Sequence, residues 1–163
     1  MEFIMPDMLV RLFEMPEINM DKRLADEGIL IKRGMALDKT PILEFVKGNF
    51  SVSWADECER ALFNQPSSCY IAVRDKKVIG FACYDATARG FFGPTGVAED
   101  ERGKGVGKVL LGKCLVSMRE KGYGYAIIGY VTDATGFYEK AVNAVIIEGA
   151  VPERSVYKNL IAK

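Results

Sequence analysis

Residues 96–124, GVAEDERGKGVGKVLLGKCLVSMREKGYG, decide the fold. Gly107, Leu110, Leu111, Cys114, Leu115 and Met118 recur at i, i+3, i+4, i+7, i+8 and i+11, the buried stripe of an amphipathic helix three turns long. Lys108, Lys113, Arg119 and Glu120 lie off that stripe, and Gly122 and Gly124 end the helix. Directly before it stands Arg102-Gly103-Lys104-Gly105-Val106-Gly107-Lys108. Glycine at alternate positions lets the backbone come close to a ligand and take dihedrals that a β-carbon opposes. At a helix start several N–H groups lack an intrahelical acceptor and point the same way, along the positive end of the dipole. With Arg102, Lys104 and Lys108 around it, this loop is an anion site whose natural occupant is a pyrophosphate.

Outward from this loop the chain reads as alternating strands and helices. GILIKRG (28–34) is a short strand. Thr40 as cap and Pro41 at the first helical position start a helix over about residues 41–50. A second helix, SVSWADECERALF, carries Trp54, Cys58, Ala61 and Leu62 on one face. CYIAVR and VIGFACY are two apolar strands joined by Asp75-Lys76-Lys77, and their lack of alternation predicts a sheet covered on both faces. A third strand, ARGFFGPTGVA, is expected to bulge or splay at Gly93-Pro94. After the glycine loop and its helix come a strand at YAIIGYV, a helix at ATGFYEKAV capped by Asn143, and two closing strands at AVIIEG and RSVYKNLIA. The order is that of an α/β domain with a mixed sheet over residues 28–163. Residues 1–27 hold five of the seven methionines and read as an N-terminal Met-rich extension, with MLVRLFEM either strand or helix. Its apolar residues make it a candidate dimer element.

Composition narrows the chemistry. The chain has 163 residues, of which 49% are apolar and 27% charged, which suits one globular domain and excludes disorder. Lys plus Arg and Asp plus Glu both number 22, so bulk charge supports neither nucleic acid nor an anionic membrane as partner. No run approaches about 18 apolar residues, and MEFIMPDMLV lacks a basic leader region, so a cytoplasmic protein is expected. There is no histidine, which removes His-based triads, metal ligands and acid–base catalysis. Cys58, Cys69, Cys83 and Cys114 show no C-x-x-C spacing and mostly sit in apolar contexts, so they read as small core hydrophobes, and no metal site is expected.

Two pyrophosphate-binding patterns fail on spacing. A P-loop needs G-x-x-x-x-G-K-[ST], but Arg102 stands five before Gly107 and Val109 follows Lys108. A Rossmann turn needs G-x-G-x-x-G near the start of a βαβ unit, and this loop is G-x-G-x-G after an antiparallel hairpin. The sequence instead resembles the GNAT superfamily of N-acetyltransferases, and more narrowly an uncharacterised bacterial branch of it. Arg102 to Gly107 matches the family's R/Q-x-x-G-x-G/A, Val97 ends the preceding strand, and Phe137-Tyr138-Glu139-Lys140 is similar to its F/L-Y-E-K. Two positions depart from the family: Val131 stands where many members have asparagine, and Ala141-Val142-Asn143 follows where Gly-Phe is usual.

The resemblance implies a GNAT fold: a mixed, mostly antiparallel central sheet flanked by helices, with a splayed strand pair holding acetyl-CoA. Thr95 and Val97 would hold the pantetheine arm and polarise the thioester through their backbones. Arg102, Gly103, Lys104, Gly105, Val106, Gly107 and Lys108 would take the pyrophosphate. A primary amine, on a small molecule or a protein, would attack the thioester directly, with no acyl-enzyme and no metal. Tyr138 is either a core aromatic or the general acid toward the departing thiolate. The base is open between Asp85 or Asp133 acting through water and a water chain with no dedicated base. Glu99, Asp100 and Glu101 read as a solvated turn. Trp54, Glu57 and Tyr157 are candidates for the acceptor side, with Trp54 also readable as core. Two other classes stay open: a non-catalytic acyl-CoA-binding module, and a nucleotide-binding domain, which both spacing failures disfavour.

Overall fold

The computed structural model describes residues 5–161. In chain order these form β1 (Met8–Arg11), α1 (Asp21–Asp26), β2 (Ile29–Arg33), α2 (Lys39–Asn49), α3 (Val52–Phe63), β3 (Cys69–Arg74) and β4 (Lys77–Tyr84). There follow β5 (Phe91–Val97), α4 (Val106–Glu120), β6 (Tyr125–Ile128), α5 (Thr135–Val142) and β7 (Val145–Ile146). Seven strands make one sheet in the order β2-β3-β4-β5-β6-β1-β7. Every pairing is antiparallel except β5 with β6.

Helices cover both faces, as the unbroken apolar strands predict. On one face Leu110, Cys114, Leu115 and Met118 of α4 pack on Ala72, Ala82 and Tyr84. On the other, Ile42 and Val46 of α2 and Cys58 and Ala61 of α3 pack on Ile71, Phe81 and Cys83. Alternate residues of β4 thus feed two cores, which is why the strand shows no polar face. Each such fully buried aliphatic side chain stabilises the domain by roughly 1.5–3 kcal/mol relative to exposure.

Local signals mostly set the element ends. Asp75 and Lys76, with φ of 49° and 62°, make the two-residue turn of the β3–β4 hairpin, whose paired left-handed conformations match the strand twist. The Ser51 hydroxyl accepts from the Trp54 amide at 3.1 Å and starts α3. Asn143 closes α5 at φ 56°. The expected cap at Thr40 is a correction: a 3-10 turn at Ala36–Asp38 leads in, α2 begins at Lys39, and Thr40 lies inside its first turn. Asp38 stands at the start of α2 without a side-chain cap bond to it; its carboxylate accepts from the Met35 amide at 2.9 Å and closes the 3-10 turn.

The two ends of the chain differ most from expectation. Met8–Arg11 is a strand held between β6 and β7, and Met8, Val10 and Leu12 are fully buried in the α4-side core. RSVYKNLIA does not form the expected final strand. Residues after β7 take a 3-10 turn at Pro152–Arg154, where the proline ring supplies no ladder donor, and β1 fills the place beside β6. Asp7 ties the two ends together: its amide donates to the Ala150 carbonyl at 2.8 Å, and its carboxylate accepts from the Ser155 hydroxyl. Among the described residues no helix is long and apolar enough to cross a membrane.

Candidate active site

The parallel pair β5–β6 is matched only at Phe91 with Ile127 and Phe92 with Ile128, after which β5 runs on alone to Val97. The cause is local. Ala82 faces Thr95 and Tyr84 faces Phe92, so Gly93 and Pro94 together oppose Cys83, and this bulge turns β5 away from β6. The splay expected at Gly93-Pro94 is present.

The gap it opens is lined by polar backbone. The Ala98 amide donates to the Ile79 carbonyl at 2.8 Å, so the Ile79–Ala98 pair carries ladder bonds and its neighbours Gly80–Val97 and Ala82–Thr95 do not. Thr95 and Val97 therefore turn their N–H and C=O groups toward β6, into the gap. The cleft there measures about 540 Å³ and reaches from the glycine loop at Arg102 and Gly107 to Tyr138 on α5 and Asp133 before it.

At the loop end Gly105 is the N-cap of α4 with φ 90°, and its carbonyl accepts from the Val109 amide at 3.1 Å. Gly103 has φ 81°. These two glycines need their conformation. Gly107 does not, since a β-carbon there would make only an ordinary 3.6 Å contact with Val97; its role is to leave the cleft open. The first-turn amides of Val106, Gly107 and Lys108 have no intrahelical acceptor and remain as an anion cradle.

The charges around the loop are arranged differently from the sequence reading. Lys104 Nζ pairs with Glu101 at 2.9 Å, and the same carboxylate takes Arg74 through two nitrogens at 3.0 and 3.2 Å. Lys104 and then Arg74 hold the Glu101 carboxyl below its ordinary pKa. Glu101 is thus the loop's anchor and not a solvated turn residue. Arg102 Nε donates to the Val97 carbonyl at 3.1 Å, so only the Val97 N–H is left toward the gap. Arg23 of α1, which the sequence reading missed, donates to the Lys104 carbonyl.

The model of the acetyltransferase (GNAT) family matches residues 39–143, well over half the chain. The chain belongs to this family. The solved structures it resembles support the fold. The GCN5-related glucosamine N-acetyltransferase region of a fungal multi-domain β-N-acetylglucosaminidase gives a TM-score of 0.71 at 15% identity, covering 90% of this chain and 20% of that one. A GCN5-related N-acetyltransferase from Sphaerobacter thermophilus gives 0.68 at 19% identity, covering 90% and 50%. A GNAT-family acetyltransferase from Colwellia psychrerythraea gives 0.62 at 13%, covering 90% and 54%. The chain thus spans about half the length of these structures or less. A comparison with curated proteins finds no match.

Within this GNAT cleft Tyr138 packs edge-on to Phe92, ring centres 6.3 Å apart, and burial raises its pKa to about 12. It is both a core aromatic and a cleft wall. The carboxylates separate sharply. Asp85 accepts from the Gly90 amide at 2.7 Å, from Tyr123 at 3.0 Å and from Lys121 at 2.8 Å. Burial opposes its charge, but Lys121, Gly90 and Tyr123 outweigh it and hold the carboxyl below its usual pKa. It is committed to the β4–β5 turn and is not among the residues lining the cleft. Asp133 does line the cleft and accepts from Thr132 at 3.2 Å.

Of the three acceptor-side candidates Trp54 lines the cleft, while Glu57 and Tyr157 are not among its lining residues and meet through Thr87. Phe50 and Trp54 line the cleft, 5.2 Å apart between ring centres, with Phe50 over Gly96 and Trp54 also in tilted contact with core Phe81 at 6.2 Å. Glu57 Oε1 accepts from Thr87 at 2.5 Å, and burial raises its carboxyl pKa despite that bond. Thr87 also hydrogen-bonds Tyr157, whose phenol stands against Gly129 and whose ring meets Tyr130 at 5.3 Å. Phe50, Thr87 and Tyr130 carried no signal in the sequence, because a fold contact alone places them here.

The cysteines converge without a motif. Cys58, Cys69 and Cys83 come from α3, β3 and β4, and their sulfurs lie within 4.8 Å of one another in the α2–α3 core. Burial pushes the Cys83 and Cys114 thiols up. No thiol lines the cleft among the described residues.

Proposed function

We propose that this protein is an N-acetyltransferase that moves the acetyl group of acetyl-CoA to a primary amine by direct attack in a ternary complex. The observation that carries this is the backbone of Thr95 and Val97 turned into a gap that ends at the glycine loop. The amides of Val106, Gly107 and Lys108 suit a pyrophosphate, and the Val97 N–H suits a carbonyl oxygen that gains charge during transfer. The bound thioester supplies the activated acetyl group; everything else falls to the chain.

Tyr138, with a pKa near 12, stays protonated through neutral pH. A thiol of ordinary pKa, about 8.5, is a stronger acid than this phenol, so Tyr138 donates a hydrogen bond to the leaving sulfur without surrendering its proton completely. Asp133, which unlike Asp85 lines the cleft, is the carboxylate placed to accept the amine proton through water. Holding amine and thioester together supplies several kcal/mol of the barrier reduction.

Calorimetry with acetyl-CoA, CoA, ATP and NAD on wild type and Gly107→Glu tests the reading. Gly107 takes a side chain without strain, and leaving glycine favours the helix by up to about 1 kcal/mol. The variant should fold at least as stably while losing acetyl-CoA binding, because its carboxylate enters the cleft. Equal binding by both proteins, or preference for ATP or NAD, would overturn the assignment. Binding without turnover of any amine would leave an acyl-CoA-binding module.

A further inference from the structure

We propose that Cys58, Cys69 and Cys83 form a binding site for one trivalent thiophilic ion of the arsenite class, held by three sulfurs. The inference does not depend on acetyl transfer, and none of the three cysteines lines the cleft.

Three observations carry it. First, the sulfurs converge from separate elements. Cys69 and Cys83 are directly opposite each other in the β3–β4 ladder, and α3 brings Cys58 to the same face of the sheet. The Cys58 and Cys69 sulfurs are 3.7 Å apart, and all three lie within 4.8 Å of one another. Three sulfurs sharing one ion at about 2.3 Å stand at most about 4.0 Å from each other, so a small side-chain adjustment completes the triangle. Second, no further ligand is at hand. The chain has no histidine, and among the described residues no carboxylate joins the group. Zinc takes four ligands in a closed site and would be left one short. Third, the surroundings are dry and apolar. The three cysteines have no exposed surface and pack among Ile42, Val46, Ile71 and Phe81. A net charge is costly there. Three thiolates around Cu(I) leave two negative charges uncompensated, and around zinc one, whereas a trivalent ion leaves none. Thiolates also select soft ions. No C-x-x-C spacing announces this site, because each ligand comes from a different element.

The step balances without another reagent. Arsenite arrives as the neutral trihydroxide. Three As–O bonds break and three As–S bonds form, and each thiol proton leaves with a hydroxide as water. Arsenic stays trivalent throughout, so nothing is oxidised or reduced. The product ties α3 to β3 and β4.

The test uses the full chain, kept reduced with a phosphine, and sodium arsenite. Arsenite is added both to native protein and during refolding from urea, so that slow entry into the core does not hide binding. Native mass spectrometry should show one arsenic per chain, with three protons lost. Tm should rise by roughly 5–10 °C at arsenite about 100-fold above its Kd, because the unfolded chain offers no preformed triangle. Cys58→Ala should lose both signals. Cys114→Ala, which removes a buried thiol of the other core, should keep both. Where an alanine variant does not fold, the serine variant takes its place. No arsenic on refolded wild-type protein, an unmoved Tm, equal binding by the Cys58 variant or loss of binding in the Cys114 variant would each overturn the inference. A larger rise in Tm with zinc or Cu(I) than with arsenite would overturn the choice of ion.

Discussion

The phenol oxygen of Tyr157 occupies the space that a β-carbon on Gly129 would need, so a C-terminal turn closes against the backbone where β6 leaves β5. Phe91 flanks the same spot, 3.0 Å from that position. Gly129→Ala must therefore displace the Tyr157 hydroxyl and loosen its bond to Thr87. We expect a several-fold loss in amine kcat/KM with acetyl-CoA affinity within about twofold of wild type, because the glycine loop lies at the other end of the cleft. Titration calorimetry and steady-state kinetics on one preparation separate the two effects.

Tyr138→Phe removes a hydroxyl and leaves the ring that packs on Phe92. Stability should change little. Loss of hydrogen-bond donation to the leaving sulfur should lower kcat by on the order of 100-fold, with acetyl-CoA binding retained. An unchanged kcat would reduce Tyr138 to a core aromatic.

Gly103 and Gly105 share a left-handed conformation but differ in surroundings. Nothing lies within 4 Å of a β-carbon at Gly103, whereas one at Gly105 would run into Met20 and Arg23. Gly103→Ala should cost about 1–2 kcal/mol, the conformational strain alone. Gly105→Ala should cost somewhat more, because the side-chain ends of Met20 and Arg23 must swing aside and Arg23 then loses its bond to the Lys104 carbonyl. Urea denaturation of the two variants measures the difference, and equal losses would contradict this account of α1.

Asp85 makes stability depend on acid. Its folded pKa is lowered, so the unfolded chain takes up protons first as pH falls. The stabilisation is present above the unfolded value, about 3.9, and is lost as pH drops through the folded value. Asp85→Asn keeps a side chain suited to the φ of 52° at this position but loses the charge. At pH 7 it should cost about 1–3 kcal/mol, lowering Tm by roughly 2–9 °C, and the gap to wild type should shrink at low pH. A gap constant with pH would mean that the hydrogen bonds and not the charge matter.

The parts of this molecule legible in its sequence are those fixed by local chemistry. The stripe from Gly107 to Met118, the Asn143 cap and the Gly93-Pro94 bulge each follow from a few neighbouring residues, and each is present. Features set by distant partners were not legible. Lys104 looked like a phosphate ligand because nothing near it reveals that Arg74 helps hold Glu101 in place to receive it. Asp85 resembled a free carboxylate until Lys121 and Tyr123 were brought to it across more than 35 residues. RSVYKNLIA has strand-like residues, yet β1 takes the only edge it could join beside β6, and Tyr157 is thereby left to face Gly129.

The position of β1 also sets a timetable for synthesis. Met8 is paired with Ile128, 120 residues later, and Leu9 with Val145, 136 residues later. At ribosomal rates of about 5–20 residues per second, the strand made first waits roughly 6–24 s for its inner neighbour. Until α4 is made, Met8, Val10 and Leu12 have no helix of this core to bury them, and until β6 is made they have no ladder on either side. The first-made strand of this sheet is thus among the last to find its place, and its apolar side chains are the ones a nascent chain must keep from sticking to another.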